Sequence, residues 1–166
     1  MTVTDVTTDT VARTLTITAS YAATPEQVWR LWSDPRLLER WWGPPTYPAT
    51  VVQHDLTSGG LVTYFMTSPE GERYHGWWRL LAVDAPHALE YEDGFGDADG
   101  NPDPAMPVTT IHVGIRAGGD GTTTMTIAST FPTVEAMEQL SAMGMVEGMT
   151  GALGQTDALL AELAAA

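Results

Sequence analysis

The sequence predicts an α+β fold in which a curved, seven-stranded antiparallel sheet wraps around one long C-terminal helix. Three observations lead to this prediction. Short stretches that alternate polar with apolar or β-branched residues recur along the chain, with Gly-, Pro- and Asp-containing turns between them. Two short helical patterns follow the first of these stretches, and one apolar face recurs at helical spacing near the C-terminus. Short strands joined by tight turns are typical of antiparallel pairing.

The predicted fold begins with one strand and two short helices. Residues 11–20 alternate in the manner of a strand. Thr24 then provides a helix N-cap, with Pro25 at the first helical position. A second short helix is predicted over 35–42, before a Gly-Pro-Pro turn that ends it.

Six further strands and one helix account for the rest of the chain. A helix capped by Thr133 is expected to run to about residue 163, with Met145 and Met149 on its apolar face. This helix is the only predicted element large enough to cover the sheet, so the sheet should curl around it and leave a space at one end. The six strands are predicted near 47–56, 60–67, 73–83, 87–93, 107–117 and 122–131.

Length and composition indicate an ordinary globular protein. The chain has 166 residues, of which 43% are hydrophobic and 17% charged, enough for a substantial core. Residues 1–10 are expected to form a flexible N-terminal segment and residues 11–166 a single domain. The N-terminus lacks the basic and apolar regions of a secretory signal, so a cytoplasmic location is expected.

The charge of the chain excludes several classes of partner. There are 21 acidic residues against seven arginines and no lysine, giving a formal net charge of −14. Such a surface repels phosphate backbones and anionic lipids, so no nucleic-acid binding and no membrane insertion are expected. The absence of lysine also excludes Schiff-base chemistry.

No pattern in the sequence indicates a metal or a cofactor, and none is expected. There is no cysteine, no Gly-rich phosphate loop and no nucleophile elbow. The acidic stretch EYEDGFGDADGNPDPAMP faintly suggests a calcium loop. Counted from Asp97, however, Gly100 is fourth where an EF-hand needs glycine sixth, and Val108 stands where glutamate is required. The stretch is interpreted as a solvated loop with a minor role over the mouth of a pocket.

Four segments resemble one known family. The motifs ATPEQVWRLWSDPRLLERWWGP, HDLTSGG, TFPT and MGMVEGMTGALGQTDALLAEL are similar to the START-like, helix-grip proteins related to the activator of Hsp90 ATPase, the AHSA1-type SRPBCC group. The resemblance runs in order from Leu15 to Leu163 and implies a helix-grip (START/Bet v 1-like) fold with an internal cavity. Two departures are Thr57, where the family often has arginine, and Met149, where it often has tryptophan.

The inward-facing residues of such a fold are the candidate ligand-binding residues. Methionines suit an adaptable apolar pocket, and adjacent helical residues point about 100° apart, so we expect only one ring of the Trp41–Trp42 pair at the cavity. Strand alternation places His54 inward, and His75 shares a face with Trp77. Core packing for the methionines and tryptophans, and a structural role for the histidines, remain the alternatives. The predicted set is Trp42, Val52, His54, Tyr64, Met66, His75, Trp77, Tyr91, Met145 and Met149.

Three functions are compatible with these residues. The favoured one is a cytosolic protein that binds a small hydrophobic ligand, aromatic or polyketide-like, in an internal cavity. The second is a cyclase- or dehydratase-type enzyme in which His54 or His75 acts as acid–base, assisted by Tyr64 or Tyr91. The third is an Hsp90-type chaperone-interacting domain, the least favoured, because the chain shows no additional partner-binding portion. A homodimer is left open.

Overall fold

The computed structural model describes residues 3–165 and shows an α+β fold built on a single antiparallel sheet of eight strands. The strands are β1 Val3–Asp9, β2 Thr14–Tyr21, β3 Ala49–His54, β4 Leu61–Thr67, β5 Arg73–Asp84, β6 Ala88–Phe95, β7 Thr109–Ala117 and β8 Thr123–Thr130. Their order across the sheet is β1-β2-β8-β7-β6-β5-β4-β3. The helices are α1 Pro25–Ser33, α2 Pro35–Trp41, α3 Val134–Ala142, α4 Met145–Leu153 and α5 Thr156–Ala165.

Strand β1 corrects the predicted strand count from seven to eight. It pairs along β2, so the flexible segment expected over residues 1–10 is instead a strand over Val3–Asp9, while residues 1 and 2 lie outside the described residues. The predicted first strand also began too early, because Val11 and Ala12 belong to the turn between the strands. Their backbone N–H groups both donate to the Asp9 carboxylate at 3.0 Å.

The first two helices are determined locally. Thr24 and Gln27 form a reciprocal capping box at the start of α1, and Pro25 occupies the first turn. Asp34 caps α2 by accepting from the backbone N–H of Arg36 at 2.9 Å. The two helices follow each other directly, and Trp42 lies at the C-terminal end of α2.

The predicted single C-terminal helix is broken into three, which is a second correction. Gly144 adopts φ +88°, a left-handed conformation that ends α3. Gln155 lies at the second break, between α4 and α5. Its side-chain amide donates to the Gly43 carbonyl at 2.8 Å, which joins this break to the turn after α2.

Helices α1 and α5 pack on one part of the sheet's buried face. Trp32 of α1 is fully buried and its indole N–H donates to the Met125 sulfur on β8 at 3.2 Å. The Thr156 hydroxyl of α5 lies 2.9 Å from the Tyr21 hydroxyl on β2. The remaining part of the buried face lies beneath α3 and α4, and there the interior is not filled.

Candidate ligand-binding cavity

A cavity of about 510 Å3 lies between the buried face of the sheet and helices α3 and α4. Its floor comes from alternate residues of β2, β4, β6, β7 and β8, and its walls come from the turn after α2 and the α3–α4 segment. The lining residues are Leu15, Ile17, Trp42, Pro44, Thr46, Tyr47, Tyr64, Met66, Asp93, Phe95, Thr109, Ile111, Ile127, Ser129, Leu140, Met143, Gly144, Met145, Gly148 and Met149.

One end of the cavity reaches the protein surface. Tyr47, Phe95 and Met143 line the cavity and are also exposed to solvent. Tyr47 packs beside Tyr74, with ring centroids 6.1 Å apart. An apolar molecule could therefore enter between aromatic and methionine side chains.

Glycines leave the roof of the cavity open. A Cβ atom on Gly148 of α4 would meet no atom within 4 Å, whereas one on Gly151 would touch the Pro44 ring at 3.7 Å. The fully buried Ala152 lies one helical turn beyond Gly148, on the same face. The open space at Gly148 is therefore on the side of the helix that faces the sheet.

A row of cross-strand neighbours places a carboxyl in the wall of the cavity. Asp93 on β6 pairs with Trp78 on β5 and with Thr109 on β7, and paired residues share one face of the sheet. Asp93 and Thr109 both line the cavity. An acidic group thus stands in an otherwise mainly apolar wall.

Gly76 allows the ring of Tyr64 to reach this carboxyl. Tyr64 and Gly76 are paired in register on β4 and β5, and a Cβ on Gly76 would overlap the end of the Tyr64 ring and its hydroxyl oxygen. The ring therefore lies across β5, toward the strand that carries Asp93. The hydroxyl interacts with the Asp93 carboxyl there.

Burial changes the acid–base behaviour of both groups. Loss of hydration raises the pKa of Asp93 from 3.8 to about 7, and the interaction with the Tyr64 hydroxyl only partly offsets this effect. The Asp93 side chain is enclosed by protein except where it meets the cavity. Burial, and then the negative charge of Asp93, raise the pKa of Tyr64 well above its usual value. Near neutral pH the cavity wall therefore holds a neutral tyrosine and a carboxyl that can gain or lose a proton.

Three polar atoms around this pair have no hydrogen-bond partner: the indole nitrogens of Trp42 and Trp78 and the hydroxyl oxygen of Tyr91. Both indoles lie beside the Tyr64 hydroxyl and lower its pKa, without a hydrogen bond of ordinary geometry. Buried donors without partners are rare in folded proteins. The region around Asp93 therefore contains more hydrogen-bond donors than acceptors to pair with them.

Five residues of the predicted set line the cavity: Trp42, Tyr64, Met66, Met145 and Met149. The neighbouring Trp41 is fully buried elsewhere, and its indole N–H donates to the Leu31 carbonyl at 2.9 Å. Tyr91 is buried behind the wall, stacked on Trp78 with ring centroids 4.3 Å apart. The two adjacent tryptophans thus occupy different environments, one in the core and one at the cavity.

The structure places Val52 and His54 outside the cavity, contrary to prediction. The β3–β4 register shifts between Val51 and Gln53, so Val52 is the extra residue of a β-bulge and is 68% exposed. Before the bulge the inward-facing residues are Ala49 and Val51, not Val52. After the bulge His54 turns inward, but its Nε2 bonds to the Trp32 carbonyl at 2.9 Å instead of facing the cavity.

His75 and Trp77 also lie away from the cavity. They share one face of β5, as predicted, but it is the outer one, because the buried residues are Gly76 and Trp78, which alternate with them. The Trp77 indole N–H donates to the Phe95 carbonyl at 3.1 Å. No histidine is among the residues that line the cavity in the described part of the chain, so acid–base catalysis by a pocket histidine has no structural basis.

The carboxyl at the cavity was missed because Asp93, the last residue of the strand predicted near 87–93, was also counted in the acidic stretch interpreted as a solvated loop. Strand β6 extends to Phe95, and Asp93 follows Leu89 and Tyr91 at alternate positions on its buried face. The alternation of Leu89, Tyr91 and Asp93 in the sequence could have predicted that the Asp93 side chain faces inward.

Residues 3–165 contain no cluster of three or more His, Cys, Asp or Glu side chains arranged to hold a metal ion. Nor does any helix there have the length and apolar character needed to cross a bilayer.

The family model described as "Activator of Hsp90 ATPase homolog 1-like protein" matches residues 22–161. The chain belongs to this family. No curated protein matches the sequence of this AHSA1 family member.

Solved structures that resemble this AHSA1 protein extend over nearly its whole length. Protein Ms6760 from Mycobacterium smegmatis is 49% identical, with a TM-score of 0.88 over 95% of this chain and 96% of that one. A protein from Arthrobacter aurescens is 45% identical, with a TM-score of 0.92 over 97% and 93%. The AHSA1 protein from Silicibacter pomeroyi is 23% identical, with a TM-score of 0.72 over 89% and 97%, and supports the fold alone.

Proposed function

We propose that this protein binds a small, mainly hydrophobic ligand in the cavity beneath α3 and α4. The observation that supports this most directly is an interior volume of about 510 Å3 that its own side chains leave unfilled. Ligand sites are typically pockets of about 300–1,000 Å3 with mainly apolar walls and a few polar groups. Aromatic rings of Trp42, Tyr64 and Phe95 in the lining favour an aromatic or polyketide-like ligand.

The proposed location is the cytoplasm. Proteins of this compartment fold without disulfides, as a chain with no cysteine must.

A substitution that fills the cavity tests the proposal. Gly148→Leu places a side chain into the open space under α4 without any backbone penalty, since Gly148 is not in the left-handed region. The uncharged, polarity-sensitive dye Nile red serves as the probe, with saturation read by fluorescence and stoichiometry by native mass spectrometry. We expect saturable binding to the wild type and at least about tenfold weaker binding to Gly148→Leu.

Glu147→Leu is the matched control, because it adds the same side chain one residue away on the exposed side of α4. It should bind the dye like the wild type. Gly148→Leu should also melt no lower than the wild type, since leucine is favoured over glycine in a helix by about 0.8 kcal/mol. Equal affinity of wild type and Gly148→Leu would show that the dye does not enter the cavity, and the proposal would fail.

A second function, acid–base catalysis on the bound molecule, is favoured by one observation. Asp93 lines the cavity with its pKa raised to about 7, a value suited to proton transfer near neutral pH. This carboxyl replaces the predicted histidines as the candidate acid–base. Chromatography after incubation with a cyclisable ketone should then show a product with the wild type and none with Asp93→Asn. Recovery of the unchanged ketone from both proteins would mean that the protein binds the ketone without catalysing a reaction.

A further inference from the structure

The one carboxyl among the described lining residues of the cavity has two polar neighbours on the same part of the wall. Asp93 and Thr109 are cross-strand neighbours, and the Tyr64 hydroxyl reaches Asp93 across Gly76. The rest of the lining adds the hydroxyls of Thr46, Tyr47 and Ser129 but consists mostly of aliphatic, methionine and aromatic side chains. A ligand bound here would therefore have one polar end and one apolar end.

No basic side chain faces this polar part of the wall. None of the arginines or histidines in residues 3–165 lines the cavity, and Arg79, the nearest in register on β5, is directed outward to Glu92. The titratable groups that face Asp93 are Tyr64 from β4 and Tyr91 from β6, while β7 contributes Thr109. The α3–α4 roof contributes methionine, leucine and glycine. An anionic ligand would meet no compensating charge here.

The unpaired groups indicate which ligand atom would be stabilised. Trp42 lines the cavity and is 6% exposed, and its indole N–H is buried without a hydrogen-bond partner. It lies beside Tyr64, with ring centroids 6.0 Å apart. A neutral Asp93 adds an O–H donor. A wall with excess donors is best completed by a hydrogen-bond acceptor.

We propose that the ligand is an uncharged molecule with a carbonyl oxygen, which accepts a hydrogen bond from the protonated Asp93 carboxyl beside Trp42. This inference rests on the proposed binding function and specifies its ligand class. Tyr64 is a positioning residue: its hydroxyl holds the carboxyl, and Gly76 leaves the space for its ring.

A protonated amine is the competing ligand class, because an ionised Asp93 surrounded by aromatic rings could bind a cation. The two classes differ in the sign of their pH dependence. A carbonyl ligand needs the proton on Asp93, so its affinity falls as pH rises through about 7. An amine needs the ionised carboxylate, so its affinity rises over the same range.

Three probes of matched shape separate these classes: acetylnaphthalene, isopropylnaphthalene and naphthylethylamine. They present a carbonyl, a hydrocarbon and an ammonium group on the same ring system. Dissociation constants are measured with the full chain by displacement of Nile red between pH 5.5 and 8.5. We expect the ketone to bind about tenfold more tightly than the hydrocarbon at pH 5.5, the ratio that one buried hydrogen bond supplies. That ratio should approach one at pH 8.5.

Variants identify the group responsible. Asp93→Asn retains an N–H donor, so the ketone preference should persist but lose its pH dependence. Asp93→Leu should bring the ratio of the two affinities close to one. Glu92→Gln changes the neighbouring acid, which pairs with Arg79 outside the cavity, and should keep both the ratio and its pH dependence. Circular dichroism melts check folding. If Asp93→Leu does not fold, Asp93→Asn alone still decides the pH dependence.

Each outcome has one meaning. Equal affinity for ketone and hydrocarbon at pH 5.5 would overturn the carbonyl assignment while leaving hydrophobic binding intact. Preference for the amine, increasing with pH, would also overturn it in favour of a cationic ligand. A ketone preference whose pH dependence survives in Asp93→Asn would exclude Asp93 as the titrating group. If neither Nile red nor any of the probes binds the wild type, the proposed binding function itself fails.

Discussion

The substitution Gly76→Ala tests how the polar wall of the cavity is assembled. An added Cβ would overlap the end of the Tyr64 ring, while the backbone of Gly76 is of a kind that alanine adopts. The ring is bounded by Trp42 and Trp78, with centroids 6.0 and 6.2 Å away. The cavity that Tyr64 lines offers the ring free space, and movement into it takes the hydroxyl away from Asp93.

The size of the effect follows from these contacts. Overpacking a well-packed core costs about 1–3 kcal/mol, and because the ring can move into free space we expect about 1–2 kcal/mol for Gly76→Ala. Gly114→Ala is the matched control, since Gly114 also lies within a strand and a Cβ there would meet nothing within 4 Å. Replacing a strand glycine without a clash stabilises by roughly 0.5–1 kcal/mol. The two variants should therefore differ by about 2 kcal/mol, or roughly 4–8 °C in Tm for a chain of this size.

Urea denaturation and thermal melts of the two variants measure this difference. An NMR titration of the carboxyl provides a second readout. Loss of the Tyr64 interaction, which lowers the pKa of Asp93, should raise that pKa further in Gly76→Ala. If Gly76→Ala is as stable as Gly114→Ala and the Asp93 pKa is unchanged, Tyr64 does not lie over Gly76 and the described arrangement is wrong.

Three further predictions concern stability. The free energy of unfolding should fall as pH rises from about 4 to 7, by at most about 1.4 kcal/mol per pH unit from this group. In the folded protein the pKa of Asp93 is raised from 3.8 to about 7, so Asp93 keeps a proton that the unfolded chain loses. Asp93→Asn should therefore weaken the pH dependence of the free energy of unfolding measured in urea. The same pH dependence in the variant and the wild type would contradict this. Tyr21→Phe removes a buried hydrogen bond to α5 and should cost about 1 kcal/mol in urea denaturation. Tyr74→Phe, at an exposed site, should change less than about 0.5 kcal/mol; equal losses would refute this. His54→Leu leaves the Trp32 carbonyl without its partner and should lower stability by about 1–3 kcal/mol with Nile red affinity unchanged. Weaker dye binding at unchanged Tm would instead indicate that His54 lines the cavity.

Local interactions explain the elements that were predicted correctly. The helix-start residues Thr24, Pro25 and Asp34 act on backbone groups no more than three residues away. The starts of α1 and α2 can therefore be predicted from neighbouring residues in the sequence. The alternation of β2 is equally local, because every second side chain enters the same core. The family motifs extended these local predictions to a fold class.

The errors occurred where neighbouring residues permit two arrangements. Val51 and Val52 are both β-branched, so the sequence allows either of them to face the core. Pairing with β4 introduces the bulge at Val52 and exposes that residue. Strand β1 buries little on either face and is held by its ladder to β2, so it has no apolar pattern. Gly144 fits the helical pattern of its neighbours, yet takes the left-handed conformation that separates α3 from α4.

The sequence by itself determined the helix caps, most strand positions, the family and the acidic surface, because each depends on residue identity or on spacing of a few positions. Only the tertiary structure decided that Asp93, Tyr64 and Trp42 meet at one cavity wall. They lie on β6, on β4 and at the end of α2, and the contact between them depends on register across three strands and on the missing side chain at Gly76. Likewise, the altered pKa of Asp93 arises from groups distant in sequence that together exclude water from one carboxyl.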